Sequence, residues 1–413
     1  EATLRRDGSS VFGEDVRWAT FPSIAVGWTF SDEKFMKPFY WLSFGKIRAS
    51  WGVSGQKFSQ RYLSQGLLSA NGTTFHGDIA MFPDIRGGVI NKKLSWEETN
   101  QYDLGFDLSF LDYRLRLVID YYYRYTKGQL NQISLPGDIY YHQFQWQNGM
   151  AISNQGLELE LEADILRHTA VKWKMKFNAS RNWNRFEKSA DGFDFMEQVI
   201  GKPLHQIKVF KTDGFYNSLD EVPVYYLANK EVQPLYSGIT AGIYLPGSRR
   251  LVDLNGDGRI TEDADVYFAE SPLPLAHGGF INQLRWKNFD LNIFFNYSLG
   301  RHIVKVYDDV SMTANGSAKP LFVDVNDVKI WTEAGSKADY PKSQVYAYLM
   351  NQTSGRYDCD IESVSFLRLK QLTLGYNVGE RVLNKLKISG ARIFVTGENL
   401  FLLTNYSGLD PEL

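Results

Sequence analysis

Three features of this 413-residue sequence predict an all-β fold, a transmembrane antiparallel β-barrel with long loops at one rim. Side chains alternate between apolar and polar with a period of two through many segments. Each segment is about ten residues long, which suits a tilted crossing of a hydrocarbon layer. The connections alternate short and long, as in barrels with tight turns at one rim and long loops at the other.

Residues 114–125 set the pattern. Leu115, Leu117, Ile119, Tyr121, Tyr123 and Tyr125 share one strand face, and Arg114, Arg116, Val118, Asp120, Tyr122 and Arg124 share the other. A period of two belongs to a strand and not to a helix. The apolar face ends in tyrosines, whose rings suit a boundary between hydrocarbon and water.

In chain order, residues 16–30 read as a strand and 31–44 as a short connection. Residues 45–56 are the next strand, followed by a polar, Gly-rich loop to about residue 95. Residues 96–110 alternate again, and Leu111, Asp112 and Tyr113 make a tight turn into 114–125. Residues 127–150 read as a longer loop. In 153–165 Leu157, Leu159 and Leu161 oppose Glu158, Glu160 and Glu162, and in 171–185 the apolar set opposes Lys172, Lys174 and Lys176. These acidic and basic ladders lie on consecutive antiparallel strands, where opposite charges pair across the sheet. Residues 276–286 and 289–300 form a hairpin across Lys287-Asn288. Strand 366–376 slips phase, and a β-bulge near Lys370-Gln371 absorbs the slip. A last strand covers about 388–403. That makes about ten strands, with Leu115, Ile119, Leu159 and Ile293 toward lipid and Arg116, Glu158, Glu160 and Asn292 inward. A large soluble sandwich or propeller also alternates, but its loops carry no systematic two-length pattern.

Composition narrows the function classes. Net charge is −2, which leaves no electrostatic footprint for nucleic acid. The single Cys359 excludes a disulfide framework. The six histidines are scattered, with no zinc-site spacing, and no phosphate loop or GxSxG elbow occurs. Nothing points to an enzyme or to a required cofactor.

Residues 253–265 do suggest calcium. Asp253, Asn255 and Asp257 take positions 1, 3 and 5 of an EF-hand-like loop, with Gly258 at 6. Position 12 is Ala264, so Asp263 or Asp265 would have to close the shell. The other reading is a turn whose carboxylates cap backbone N–H groups. Tyr140, Tyr141 and Trp146 are candidate stacking platforms for a substrate such as a sugar ring, with loop packing or an interfacial girdle as the equal alternative.

Several segments in order resemble one family. They are Phe21-Pro22-Ser23 with Gly27-Trp28, then Leu42-Ser43-Phe44-Gly45-Lys46-Ile47-Arg48-Ala49-Ser50-Trp51-Gly52. Next come the loop from Asp253 to Ile260, Gly278-Gly279-Phe280 and Asn288-Phe289-Asp290-Leu291. Phe366-Leu367-Arg368-Leu369-Lys370, Gly397-Glu398-Asn399-Leu400 and Tyr406-Ser407-Gly408-Leu409-Asp410-Pro411-Glu412 complete the set. The chain thus resembles the SusC/RagA family of TonB-dependent outer-membrane transporters of Bacteroidetes. The resemblance implies a 22-stranded barrel with an N-terminal plug, importing oligosaccharides or peptides with energy through TonB and a SusD-like lipoprotein as outside lid. On this reading residues 1–413 are the C-terminal barrel portion, and the plug, TonB box, signal peptide and last strand are missing. The alternatives are a non-transporting surface binding module, such as a lectin or adhesin, and a passive porin. Residues 186–275 fall on the long-loop side. Their aromatic content predicts a folded extracellular lobe that roofs the lumen and touches the lid.

Overall fold

Eleven strands hydrogen-bond in strict chain order into one sheet, every neighbouring pair antiparallel. They are β1 (Ala2–Gly8), β2 (Trp18–Trp28), β3 (Leu42–Gln56), β4 (Glu97–Phe110), β5 (Leu115–Ser134) and β6 (Phe144–Leu166). The rest are β7 (Val171–Lys188), β8 (Ala276–Trp286), β9 (Phe289–Leu299), β10 (Phe366–Asn377) and β11 (Arg392–Thr404). The computed structural model describes residues 1–58, 64, 68–83, 88–136, 144–194, 198–222, 224–226, 232–234, 246–258, 260–304, 329–339, 357–408 and 410–412. Its two compact units are Glu1–Leu204 with Leu275–Leu299 and Phe366–Thr404, which hold the sheet, and His205–Pro274 with Gly300–Ser365 and Asn405–Leu413.

The register carries the alternation across the whole sheet. One row runs Trp28, Ile47, Phe106, Ile119, Leu159, Ala179, Gly278, Tyr297, Leu367, Leu403, each opposite the next. The flanking row from Leu108 and Leu117 through Phe295 to Phe401 is also apolar, whereas the other passes from Leu157 to Arg181; Val26 and Val395 are 63% and 73% exposed. So continuous an exposed apolar face needs an apolar solvent. The opposite face places Arg48 near Asp107 and Asp120, and Glu160 beside Asn178. The strand facings expected from the sequence therefore segregate to two faces. The phase slip in β10 is a bulge: Lys370 is skipped in the pairing to both β9 and β11. Opposite it, Asn399 takes a left-handed φ of 52°.

Among the connections at one rim are 111–114, 167–170 and the two residues 287–288. The first is built from Leu111, Asp112 and Tyr113, all left-handed at φ 54°, 53° and 61°. Such a conformation is costly for residues with a Cβ, and neighbouring side chains hold it. Arg114 donates to the carbonyls of Asp164 and Ile165 at 2.8 and 2.6 Å, and Arg167 donates to that of Asp112 at 2.9 Å. The opposite rim carries 57–96, 189–275 and 300–365.

Three expectations change. Among the described residues the large sheet holds eleven strands, because Ala2–Gly8 pairs with β2 although Ala2 and Leu4 are its only apolar residues besides glycine. The 127–150 loop is mostly strand, since β5 and β6 run 20 and 23 residues. Crossing the hydrocarbon takes about 9–11 residues, so this hairpin continues well past it. Its far end packs Leu130 and Trp146 on a small core of Phe12, Phe58 and Leu94. The charge ladders do not pair rung by rung. The register sets Glu158 and Glu160 opposite Ser180 and Asn178, and Glu162 alone takes Lys176 at 2.8 Å and also Lys174. One expectation holds: β1 and β11 are edges, so these strands form an open sheet, as part of a larger barrel should.

The second unit differs from the expected 186–275 lobe. It begins at His205 and recruits 300–365 as well. Short two-stranded ladders build it: Lys208–Phe210 with Val266–Phe268, Thr212–Phe215 with Arg249–Leu251, and His302–Val304 with Ile361–Ser363. Phe210, Tyr216, Leu251, Ile260 and Tyr357 form its core.

Candidate functional site

The polar sheet face is a hydrogen-bonded charge network. Arg48 donates from Nε and Nη2 to Asp107 at 2.8 and 3.1 Å, and from Nη2 to Asp120 at 2.9 Å. The guanidinium lies over Gly105, where a Cβ would come within 2.4 Å of Asp120 and 2.7 Å of Arg48. Ser50 and Gln101 donate to Asp103. At the short-turn end Asp290 accepts from Arg392 at 2.5 Å and from Asn377 at 3.0 Å. Such a face is polar and held by its own hydrogen bonds across neighbouring strands.

The second unit holds a different kind of site. Arg249 and Asp360, 9% and 4% exposed at their side chains, pair at 3.1 Å in its interior. The same guanidinium sits over the rings of Phe215 and Tyr357 at 5.5 and 5.6 Å. Beside this lies an open cleft of about 660 Å³, whose walls include Thr212, Tyr267, Glu270, His302, Asp358 and Ser363. Asp358 Oδ1 accepts from both the N–H and the hydroxyl of Thr212, at 3.0 and 2.5 Å. Burial pushes the Tyr267 phenol above its ordinary range, and the nearby charges of Asp358 and Glu270 add to this. Cys359 also lines the cleft. The residue is exposed by area, but its thiol sits among lobe atoms and is pushed up to about 11, chiefly by burial.

In the calcium-like loop the carboxylates are engaged with backbone. Asp253 accepts from the N–H groups of Gly256 and Gly258 at 2.7 and 2.8 Å. The fully buried Asp265 accepts from Leu254 and Thr261 at 2.8 and 2.7 Å. Asn255 and Asp257 bond each other. Among the described residues no three His, Cys, Asp or Glu side chains converge in a metal-holding group, Asp263 included. The donor set as placed fits a capped turn and does not fit a cation shell.

With this geometry in hand, the comparisons are informative. The sequence model for the family described as TonB dependent receptor-like, beta-barrel matches residues 1–315. The chain belongs to the TonB-dependent receptor β-barrel family. TonB-dependent receptor P3 of Formosa agariphila is 32% identical over 417 residues, covering 99% of this chain and 40% of its own length. TonB-dependent receptor SusC of Bacteroides thetaiotaomicron is 29% identical over 420 residues, covering 100% of this chain and 39% of its own. The chain thus spans about 40% of the length of these curated relatives. The solved RagAB peptide transporter superposes with a TM-score of 0.73 at 23% identity, over 100% of this chain and 43% of that one, and shares its fold.

For a TonB-dependent receptor barrel the two sheet faces have defined surroundings. The apolar face meets the lipid of the outer membrane and the charged face turns to the lumen. The family is one of receptors and not of enzymes. Of the candidate stacking residues, Tyr140 and Tyr141 lie outside the described residues. Trp146 meets Phe144 edge-on at 6.4 Å and packs on the Phe12 core. The lobe residues Glu270, His302 and Asp358 were not singled out from sequence. They come from three separated segments, and no local spacing links them.

Proposed function

We propose that the chain is the lumenal wall and outer lobe of an active importer. It takes up a large nutrient, an oligosaccharide or a peptide, with energy drawn through TonB and a SusD-like surface lipoprotein as partner. The observation that carries this reading is the two-faced sheet. An apolar row is continuous across ten strands, β2 to β11, while the reverse face bears a hydrogen-bonded charge network. Kinship with SusC, and the fold shared with the RagAB peptide transporter, support the choice of an importer over a lectin-like module.

The lobe is the proposed contact for the lipoprotein and the cargo. Leu219 stands 65% exposed on it, an apolar residue available to a partner. Deleting residues 213–247 should weaken lipoprotein capture or uptake while the barrel still inserts and resists heat. Uptake and capture that survive this deletion unchanged would show that the lobe only packs. In cells lacking TonB, uptake should stop although the protein remains in the outer membrane. Uptake continuing at the wild-type rate would identify a passive pore.

A further inference from the structure

A cation stands on the lipid-facing side of the sheet. Arg181 pairs with Leu157, which pairs in turn with Tyr121, so all three share the outward face. One step further along the strands, Tyr123, Gln155 and Trp183 form the next outward row. On the other side of Arg181 the outward residues of β7 are Val171, Trp173, Met175, Phe177 and Ala179, all apolar. Arg181 follows Val171, the first residue of the strand, by ten residues, which is about 34 Å along a strand. At a tilt of roughly 45° that is about 24 Å of height, close to the full apolar band of an outer-membrane barrel. Arg181 therefore marks the level at which hydrocarbon ends, on the side of the long loops and hence of the outer leaflet.

Its surroundings suit an anion. The guanidinium lies over the Trp183 ring at 4.6 Å. Stacking fixes the plane of the group and leaves its N–H edges available to fork onto an oxyanion. Gln155 sits diagonally across the strand pair, within reach of the same ligand. Its Oε1 accepts from the Tyr121 hydroxyl at 2.9 Å, so the amide NH2 remains as a second donor. Leu157, and beyond it Ile119, Leu159 and Ala179, supply apolar surface on which acyl chains can lie. A ligand with an anionic head at the donor level and hydrocarbon below it is a membrane lipid, and the outer leaflet of such a membrane is built largely from phosphorylated glycolipid. We propose that Arg181, Gln155 and Trp183 form a seat for the phosphate of an outer-leaflet glycolipid, a phosphorylated sugar that carries acyl chains. The seat continues the lipid-facing surface and is independent of what the chain imports.

The test is native mass spectrometry of the detergent-purified protein titrated with monophosphoryl lipid A. The lipid should bind, and its dephosphorylated form should bind at least tenfold more weakly, in line with losing a charge-assisted hydrogen bond. Arg181→Gln should weaken binding of the phosphorylated lipid about tenfold and bring the two lipids to similar affinity. Arg181→Lys, which keeps the charge but loses the planar fork, should recover only part of the loss. Arg116→Gln, on the lumenal face, should leave binding unchanged, and heat-modifiability on gels shows whether each variant still forms its barrel. Equal affinity of the unaltered protein for the two lipids would overturn the proposal, and that comparison needs no variant to fold. So would indifference of a folded Arg181→Gln protein, as expected if the arginine only reaches for water, or phosphatidylglycerol binding as tightly as lipid A.

Discussion

Replacing Arg249 by Met should loosen the lobe and leave the sheet untouched. The guanidinium neutralises Asp360 at 3.1 Å, with side-chain exposures of 9% and 4%. It also donates to the Asp339 carbonyl at 3.2 Å and covers two aromatic rings. Removing one member of a buried pair typically costs about 3–5 kcal/mol, because the other charge is left in a poor solvent. The lower end applies here, since the Cys359 thiol still donates to Asp360 at 3.7 Å. A cost of about 3 kcal/mol raises the population of the opened lobe on the order of a hundredfold. Hydrogen exchange reads this directly. The Tyr216 and Val252 amides, bonded at 3.0 Å to Ser248 and Lys211, should lose about two decades of protection, whereas amides of β5 and β6 should not change. The double variant Arg249→Met with Asp360→Leu should recover part of the loss, because an apolar pair carries no stranded charge. Unchanged protection in the single variant, or equal loss in the sheet, would refute the reasoning.

Leu159→Arg, in the middle of the apolar row, should cost about 2–4 kcal/mol of barrel stability in lipid, whereas Glu160→Gln on the opposite face should cost far less; heat-modifiability on gels compares them. Cys359, with its thiol pushed up to about 11, should react with maleimide at pH 7 about a hundredfold more slowly than a free cysteine, and roughly tenfold faster per pH unit until about 11, because only the thiolate attacks; a rate already at its plateau at pH 8 contradicts the shift. Calcium titrated into the protein should give no saturable heat, given how Asp253 and Asp265 are engaged; one-site binding abolished by Asp253→Asn would instead establish the loop as a cation site.

The strands were legible wherever the period of two was strong. Residues 115–125 and 157–165 read correctly because every second side chain is apolar, and Lys370 could be located because the pattern slips there. Ala2–Gly8 was not legible, since Arg5, Arg6 and Asp7 hide its alternation and only its pairing with β2 makes it a strand. The extension of β5 and β6 was hidden for a related reason. Gln129, Asn131, Gln145 and Gln147 are paired in a ladder that stands beyond the hydrocarbon, where a strand needs no apolar face. In the lobe, individual aromatics were readable as anchors, but their grouping was not. Tyr216 and Tyr357 share a core although a whole hairpin of the barrel lies between them in sequence. The cleft residues are scattered in the same way, so the candidate site emerges only from the folded chain.

The strict chain-order pairing of the sheet makes the barrel wall tolerant of change at its loops. Because β7 and β8 are adjacent, whatever joins them only has to leave and return at neighbouring points of one rim. Stretching a connection from the length of 135–143 to that of 189–275 is roughly a tenfold increase. The closure entropy of that increase is only about 2 kcal/mol, and no register in the wall need shift. Lobe content and wall register are therefore separable in this architecture: a lineage can rebuild the lobe by insertion and deletion while it inherits the wall unchanged.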